Sequence, residues 1–442
     1  MTSTEDNPNV SIMSQSGSML GGGSARTSRK RRSRVSMAAE ISVIYSARSF
    51  RFRAARPGYG GDPRKRGEQC MSPPDISTTP VWVLKSYRAG ENSQLLGLAE
   101  RLGVPFRTLE VEYTALASAA GLLRCTTCAG ITPASRKQLA APWPKLLLSA
   151  GLRNEPIANW VRRASGGRTR VVFVGRTWCS VDRLDLLVTT PQYRLAPGPR
   201  VHLNLLTQHR VTPARLAAAG AQPHALLRDL PAPVIAVLLG GSSGPWVLGP
   251  RNAVRLGAAL GALAEATRGS VVVSTSARTP EAFTRALERY LPAGARLYEW
   301  RRDDPGNPYF AMLAAAQLLV VSGDSVAMLS EAAASGKPVF IWDVPVDADA
   351  DSSLAAVWYR FMMRWLPPRL TRDVGRFHRA FIDGGLGLPL ADGIAALRAG
   401  RPFPAVRADV ADDGTLARLD ALLEVDQSPP VGSSVMPPRS TR

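Results

Sequence analysis

QLLVVSGDSVAMLSEAAASGKPVFIW, residues 317–342, is the stretch on which the fold turns. Gln317–Val321 is a short apolar run, the pattern of a strand covered on both faces. Ser322-Gly323-Asp324-Ser325 interrupts it with turn residues, and Asp324 or Ser325 stands where a helix N-cap belongs. Ser325–Ala334 then reads as a helix, Gly336 stops it in the manner of a C-cap, and Pro338–Trp342 is a second apolar strand. A helix between two such strands makes a crossover, so the strands run parallel and the segment is a βαβ unit.

The rhythm continues upstream. Val234–Leu239, Ser270–Ser274 and Arg296–Trp300 read as strands; Asn252–Thr267, Pro280–Tyr290 and Tyr309–Ala315 read as the helices between them. An earlier series begins at Val81–Leu84, with a helix opened by Gly90-Glu91-Asn92 and closed at Gly103. Phe106–Val111, Lys145–Ser149, Arg170–Val174, Leu184–Val188 and His202–Leu206 follow as extended pieces, with Pro156–Arg163 as a helix. Between the series lie a short helix, Thr212–Ala219, and a proline-containing segment, 223–233, with no strand pattern; the linker belongs there. The expected fold class is α/β, with two Rossmann-like parallel-sheet domains facing across a cleft and a disordered N-terminal tail. The expected boundaries are 1–75 for a basic tail, 76–228 for the first domain, 229–425 for the second and 426–442 for a frayed tail rich in Pro and Ser.

Composition narrows the classes. The 442 residues are 45% hydrophobic and 20% charged, close to a globular average, which excludes a collagen-like, coiled-coil or wholly disordered chain. The longest strongly apolar stretch, Ala311–Val321, is too short to span a bilayer. Lys and Arg number 55 against 35 Asp and Glu, a net charge of +20, of which residues 1–70 hold +8. Only six of the basic residues are Lys, which fits either GC-rich coding or a surface drawn to anionic partners. Glu5 and Asp6 argue against a transit peptide, no apolar segment follows the early charges as a secretory signal requires, and Met37 and Met71 are alternative starts. Cys125 and Cys128 form a lone C-T-T-C without a second pair, and Cys70 and Cys179 stand apart. The expectation is small packing residues in a reducing compartment and no metal site.

Three loops after strands could carry chemistry. Gly240-Gly241-Ser242-Ser243-Gly244 lets backbone N–H groups approach an anion, although it lacks the Walker and G-x-G-x-x-G spacings and reads equally as a tight turn. Ser274-Thr275-Ser276-Ala277-Arg278-Thr279-Pro280 opens a helix with Thr279 as a possible cap, Pro280 at the first helical position and Arg278 as a forked cation. The third is the turn at Asp324 and Ser325, with Glu331 two turns into the helix on a face of small residues. Asn307-Pro308-Tyr309 could complete the rim. In the first series Arg88-Ala89-Gly90-Glu91-Asn92 and Ser149-Ala150-Gly151-Leu152-Arg153 top two strands as acceptor-side candidates. Glu91 is the expected general base there, with His202 and His209 as weaker alternatives. No Ser-His-Asp order, H-E-x-x-H, D-x-D or paired-carboxylate pattern stands at a strand top, which disfavours hydrolase and metal-centred chemistry.

Arg88–Gln94, Gly240–Gly244, Thr275–Pro280, Asn307–Tyr309 and Asp324–Pro338 occur together and in order. That set resembles the mitochondrial fission (elongated mitochondria) family, whose plant members act in organelle division and whose bacterial members are taken for glycosyltransferases of the two-Rossmann (GT-B) type. The resemblance covers about Val81 to Pro404, with Arg376–His378 and Gly400-Arg401-Pro402-Phe403 as closing elements. Tyr87-Arg88 and Gly175-Arg176-Thr177-Trp178-Cys179 depart from the family pattern. The resemblance implies that Gly241, Ser276, Arg278, Asn307, Asp324, Ser325 and Glu331 surround a nucleotide-sugar donor, joined by Ser243 and Thr279 from the same loops.

The expected function is a metal-independent glycosyltransferase that takes a nucleotide-sugar as substrate, needs no further cofactor and acts on an envelope glycan or lipid-linked acceptor. The expected location is cytoplasmic, with peripheral attachment to the anionic inner membrane face as an option. The alternative is a non-catalytic scaffold that recruits partners to a membrane or organelle surface. Nucleic-acid binding is disfavoured, because no interleaved aromatics or known module accompany the charge.

Overall fold

The computed structural model describes residues 79–117, 119, 125–222, 224–243, 246–344, 354–366, 371–402 and 414–424. The expected basic tail, Met37, Met71, Cys70, Gly244, Phe403 and the segment 426–442 lie outside them. Apolar runs form the sheet centres, since a strand covered by helices on both sides has no face to show to water. The first series gives β1 (Val81–Leu84), β2 (Phe106–Leu109), β3 (Leu146–Ala150), β4 (Arg170–Val174), β5 (Leu186–Thr189) and β6 (Val201–Leu203). They pair in parallel in the order β2-β1-β3-β4-β5-β6. Helices α1 (Ala89–Arg101), α2 (Pro133–Lys137) and α3 (Glu155–Ala164) lie between these strands in sequence. Val81 and Val83 face one layer with Leu95 and Leu98 of α1, while Trp82 and Leu84 face the other with Ile157 and Val161 of α3. Each buried Leu, Val or Ile contributes about 1.5–3 kcal/mol relative to exposure.

After α4 (Pro213–Ala221) the second series begins with β7 (Val234–Leu238). It continues through α5 (Pro250–Thr267), β8 (Ser270–Ser274), α6 (Glu281–Glu288), β9 (Arg296–Tyr298), α7 (Tyr309–Ala315), β10 (Leu318–Ser322), α8 (Val326–Ala334) and β11 (Val339–Trp342). The second sheet is also parallel, in the order β12-β11-β10-β7-β8-β9, with β12 at Leu388–Pro389. The sequence reading was silent on α9 (Leu354–Trp365), α10 (Val374–Asp383), β12 and α11 (Leu390–Arg398). Phe377 and Phe381 of α10 stack with centroids 5.7 Å apart inside the second core. The last helix, α12 (Thr415–Glu424), falls in the segment assigned to the second half, yet its Leu419 is buried against the first sheet.

Strand order fixes where a ligand can go. The order reverses between β1 and β3 in the first sheet and between β7 and β10 in the second. Loops leaving the carboxyl ends of strands that flank such a switch point diverge to opposite faces and leave a crevice. Both sheets lie in one compact unit, 67–442. Side chains join them: Ser93 Oγ of α1 donates to Glu331 of α8 at 3.3 Å, and the Thr207 N–H donates to Ser330 Oγ at 3.0 Å.

Two local expectations need correction. Cys125 and Cys179 form a disulfide, with Cα atoms 5.9 Å apart, so they are not simple packing residues. The physical reason is Glu155, at the start of α3. Its carboxylate accepts from Thr177 Oγ1, the Trp178 N–H (2.7 Å) and the Cys179 N–H (3.1 Å), which folds the turn after β4 back to Cys125. Cys128 is a buried free thiol whose pKa burial pushes up to about 12. Helix capping also differs. Pro280 is the N-cap of α6 and Ser325 that of α8, and neither helix has a side-chain cap hydrogen bond, because Thr279 and Asp324 are turned to other partners.

Candidate functional site

The loops that flank the second switch point knit into one floor. Ser322 Oγ, at the end of β10, accepts from the Gly240 N–H at 2.7 Å and donates to Asp324 Oδ1 at 2.8 Å. Asp324 Oδ2 accepts from the Gly241 N–H at 2.8 Å and from Arg278 Nη2 at 3.3 Å. The Gly240 carbonyl accepts from Ser276 Oγ at 2.7 Å and Thr279 Oγ1 at 2.5 Å. Asp324 is fully buried, whereas the Arg278 side chain is 53% exposed, so the ion pair points from the floor toward solvent. Glycine is required twice here. A Cβ on Gly240 would run into the Asp324 carboxylate, and one on Gly241 into the Arg278 backbone.

Five of the expected donor-side residues, Gly241, Ser276, Arg278, Thr279 and Asp324, therefore meet in one hydrogen-bonded cluster. Ser243 joins through Arg372, whose Nη1 donates to Ser243 Oγ at 3.3 Å and whose Nη2 donates to the Asp324 carbonyl at 3.2 Å. Ser325 follows Asp324 and starts α8. Asn307 goes elsewhere: it is exposed, and its Oδ1 accepts from the Tyr309 N–H at 3.0 Å, ordering the entry to α7. Glu331 has both oxygens engaged, one by the Tyr309 hydroxyl and the other by Ser93 Oγ. Burial raises the Glu331 pKa against those two hydrogen bonds, and burial beside Glu331 holds Tyr309 well above its usual value.

At the first switch point Glu91 sits between the tops of β1 and β3. Its carboxylate accepts from Ser86 Oγ and lies 3.5 Å from Arg88 Nη1, and a Cβ on Gly151 would collide with it. Arg88 and Arg372 both come close enough to Arg278 to push against its charge. Arg278 and Arg372 thus both hold Asp324, one at its carboxylate and the other at its carbonyl, while Arg88 is paired with Glu91. His202 lies on β6. Tyr87 (44% exposed) is flanked by Arg88 at 5.2 Å and Arg153 at 4.6 Å from its ring centre, forming the outer rim on this side.

Sequence reasoning missed Arg372, and it named Arg88 only among the acceptor-side candidates. Arg372 lies in an aperiodic stretch just before the Asp373 cap of α10, so no spacing marked it. His378 was noticed only as part of a closing element. Its Nε2 meets the Gly323 carbonyl at 2.7 Å, and burial lowers its pKa, so the ring is neutral at pH 7 and donates that bond. Among the described residues no group of three His, Cys, Asp or Glu is placed to hold a metal ion, and no helix is long and apolar enough to cross a membrane.

A model of the family "Mitochondrial fission ELM1" matches residues 89–356, more than half of the chain. The chain belongs to the ELM1 family. The match begins at α1 and runs past β11, so it takes in the whole of the second switch point and, of the first, α1 and β3 but not β1. Among curated relatives, the mitochondrial fission protein ELM1 of Arabidopsis thaliana is 28% identical over 242 residues, 48% of this chain and 54% of that one. The matched region thus spans about half the length of the Arabidopsis protein. An uncharacterized protein of Rickettsia prowazekii is 25% identical over 301 residues, 60% of this chain and 83% of that one. Among solved structures, the UDP-GlcNAc 2-epimerase of Neisseria meningitidis bound to UDP-GlcNAc aligns with a TM-score of 0.41 and 11% identity, over 77% of this chain and 98% of that one.

Proposed function

We propose that this chain is a metal-independent glycosyltransferase that binds a nucleotide-sugar in the cleft between its sheets. The observation that carries the reading is the convergence of Arg278 and Arg372 on Asp324, with the Arg88 charge also felt at Arg278. Like charges that repel one another in this way are stabilised by an anion between them, and a diphosphate is the anion that leaves when a sugar is transferred. The start of α8 adds N–H groups that no side chain caps and the positive end of a helix dipole. Glu91 is the proposed base. Its carboxylate removes the proton of an acceptor hydroxyl, that oxygen bonds to the anomeric carbon, and the bond from that carbon to the nucleoside diphosphate breaks. The charge left on the diphosphate is met by the three arginines.

A lipid-linked acceptor is supported by α9. Tyr359 and Met362 turn inward, Tyr359 against Trp246 with ring centres 5.9 Å apart. Val357, Phe361 and Trp365, spaced four apart, are exposed on another face beside exposed Arg360 and Arg364. That combination of apolar stripe and cations suits an anionic membrane surface, and co-sedimentation with anionic vesicles checks it.

Titration calorimetry with a panel of nucleoside diphosphates and their sugar conjugates tests the main reading. Binding of one of them, weakened about 10- to 100-fold in Arg278→Ala, is the expected result. Absence of binding across the panel overturns it. A second reading, a non-catalytic recruitment protein, is favoured by Glu331: one oxygen is held by Ser93 of the first series and the other by Tyr309 of its own, as a structural residue's would be. The name of the Arabidopsis relative, a mitochondrial fission protein, agrees with it. On that reading Glu331→Ala abolishes partner capture, and no nucleotide binds.

A further inference from the structure

At the other end of the first sheet, where the chain enters β4 and β5, lies a hollow of about 510 Å³ lined by Arg162, Arg163, Arg183, Asn159 and Thr126. Ligand sites commonly have this size. Arg162 and Arg163 come from the last turn of α3, and Arg183 from the turn that precedes β5. Cations in a last helical turn complement the helix dipole, which accounts for the first two. It does not account for Arg183, which another element delivers to the same place.

Few acids face these cations. Arg162 pairs with Asp185 at 3.2 Å, and Asp185 is shared with Arg170 at 3.4 Å and with the Val171 N–H at 2.8 Å. Asp182 bonds to Ser180 Oγ at 2.8 Å. Arg163 has no carboxylate partner among the described residues, and Arg183 reaches only Thr126 Oγ1, at 3.1 Å. The floor supplies a second signal. Asn159 is 5% exposed; its Nδ2 donates to the Cys125 carbonyl at 2.9 Å, which fixes the amide orientation, and its Oδ1 has no donor. A buried acceptor left in this state costs about 1–3 kcal/mol unless a ligand donates to it. The Cys125–Cys179 disulfide ties together the strands of chain that bear Thr126 and Arg183.

We propose that this hollow binds a phosphorylated sugar. Guanidinium forks suit the phosphate, Asn159 Oδ1 accepts from a sugar hydroxyl, and no aromatic ring lines the hollow to stack a nucleotide base. The site is separate from the cleft and independent of the transferase reading. The phosphorylated polyol is either a free sugar phosphate or the headgroup of a phosphoinositide lipid, and the arms of one experiment distinguish these.

The test is calorimetry of the full chain with glucose 6-phosphate, inorganic phosphate and UDP, beside flotation with vesicles containing phosphatidylinositol 4-phosphate. Arg163 and Arg183 are exposed, so Arg163→Ala/Arg183→Ala leaves the fold intact. Glucose 6-phosphate is expected to bind at least about tenfold more tightly than inorganic phosphate, to lose about tenfold or more in the double variant, and to be unaffected by Arg278→Ala. Flotation that disappears in the double variant, without binding of glucose 6-phosphate, assigns the headgroup. Equal binding of inorganic phosphate, indifference to the double variant, or silence in both arms overturns the proposal.

Discussion

Asp324→Asn isolates what the buried carboxylate does for the site. The carboxylate is fully buried, accepts from the Gly241 N–H and Ser322 Oγ, both at 2.8 Å, and meets Arg278 at 3.3 Å. Asparagine keeps the shape and one acceptor oxygen. Hydrogen bonds to a charged group contribute about 1.5–3 kcal/mol and neutral ones nearer 1, so neutralising two of them removes roughly 1–3 kcal/mol. The Arg278 ion pair adds little, about 0–1 kcal/mol, because the arginine is half in water. The expected cost is therefore about 2–3 kcal/mol in urea unfolding followed by circular dichroism. Arg278→Ala on the same assay should cost under about 1 kcal/mol, since Asp324 keeps its two other donors. For nucleotide binding the order inverts at Arg278, whose loss removes a direct charge. A neutral outcome for Asp324→Asn, or a larger unfolding penalty for Arg278→Ala, would refute the picture of a buried anchor carrying an exposed cation.

Other outcomes follow from the same reasoning. Glu155→Gln should destabilise by about 2–3 kcal/mol in the same unfolding assay, because the two N–H groups at Trp178 and Cys179 would share the single oxygen of the amide. Peptide mapping after alkylation without reductant should recover Cys125 linked to Cys179 and Cys128 unmodified; free Cys125 would contradict it. The raised pKa of Glu331 means that the folded state holds a proton that the unfolded chain releases near pH 4.3. Its stabilising effect is full below that value and is lost as pH rises through the folded value. Wild type should therefore lose stability relative to Glu331→Gln between about pH 4.5 and neutrality, and parallel urea midpoints would exclude this.

How much the sequence revealed follows a physical divide. Strands such as Val234–Leu238 and Leu318–Ser322 were readable because burial on both faces demands an unbroken apolar run, a local property. Helices packed beside them were readable from periodicity, but α9 to α11 were not. The loops after β7, β8 and β10 were each readable because turn residues follow an apolar run directly, but the meeting of Gly241 with Asp324, 83 residues apart, was not. Arg372, the Cys125–Cys179 bond and the return of α12 to the first sheet depend on contacts between distant segments, with 54 residues separating the two cysteines. No local pattern encodes those. Capping failed for a related reason: Asp324 and Thr279 are good caps in isolation, but tertiary hydrogen bonds to Gly241 and Gly240 outcompete the helix ends.

The same competition bears on function. A side chain that caps a helix consumes an N–H group; one that turns away leaves it for a ligand. In α8 the turned-away carboxylate is the one that anchors Gly241 and Arg278, so a single residue both frees the helix start and positions the cation beside it. The N–H groups at the start of α8 stay open beside Arg278 and Arg372. An anion there would meet the open N–H groups and both guanidinium groups at once, which is why the switch point of the second sheet, rather than the more exposed Tyr87 rim, is the place to look first for a ligand.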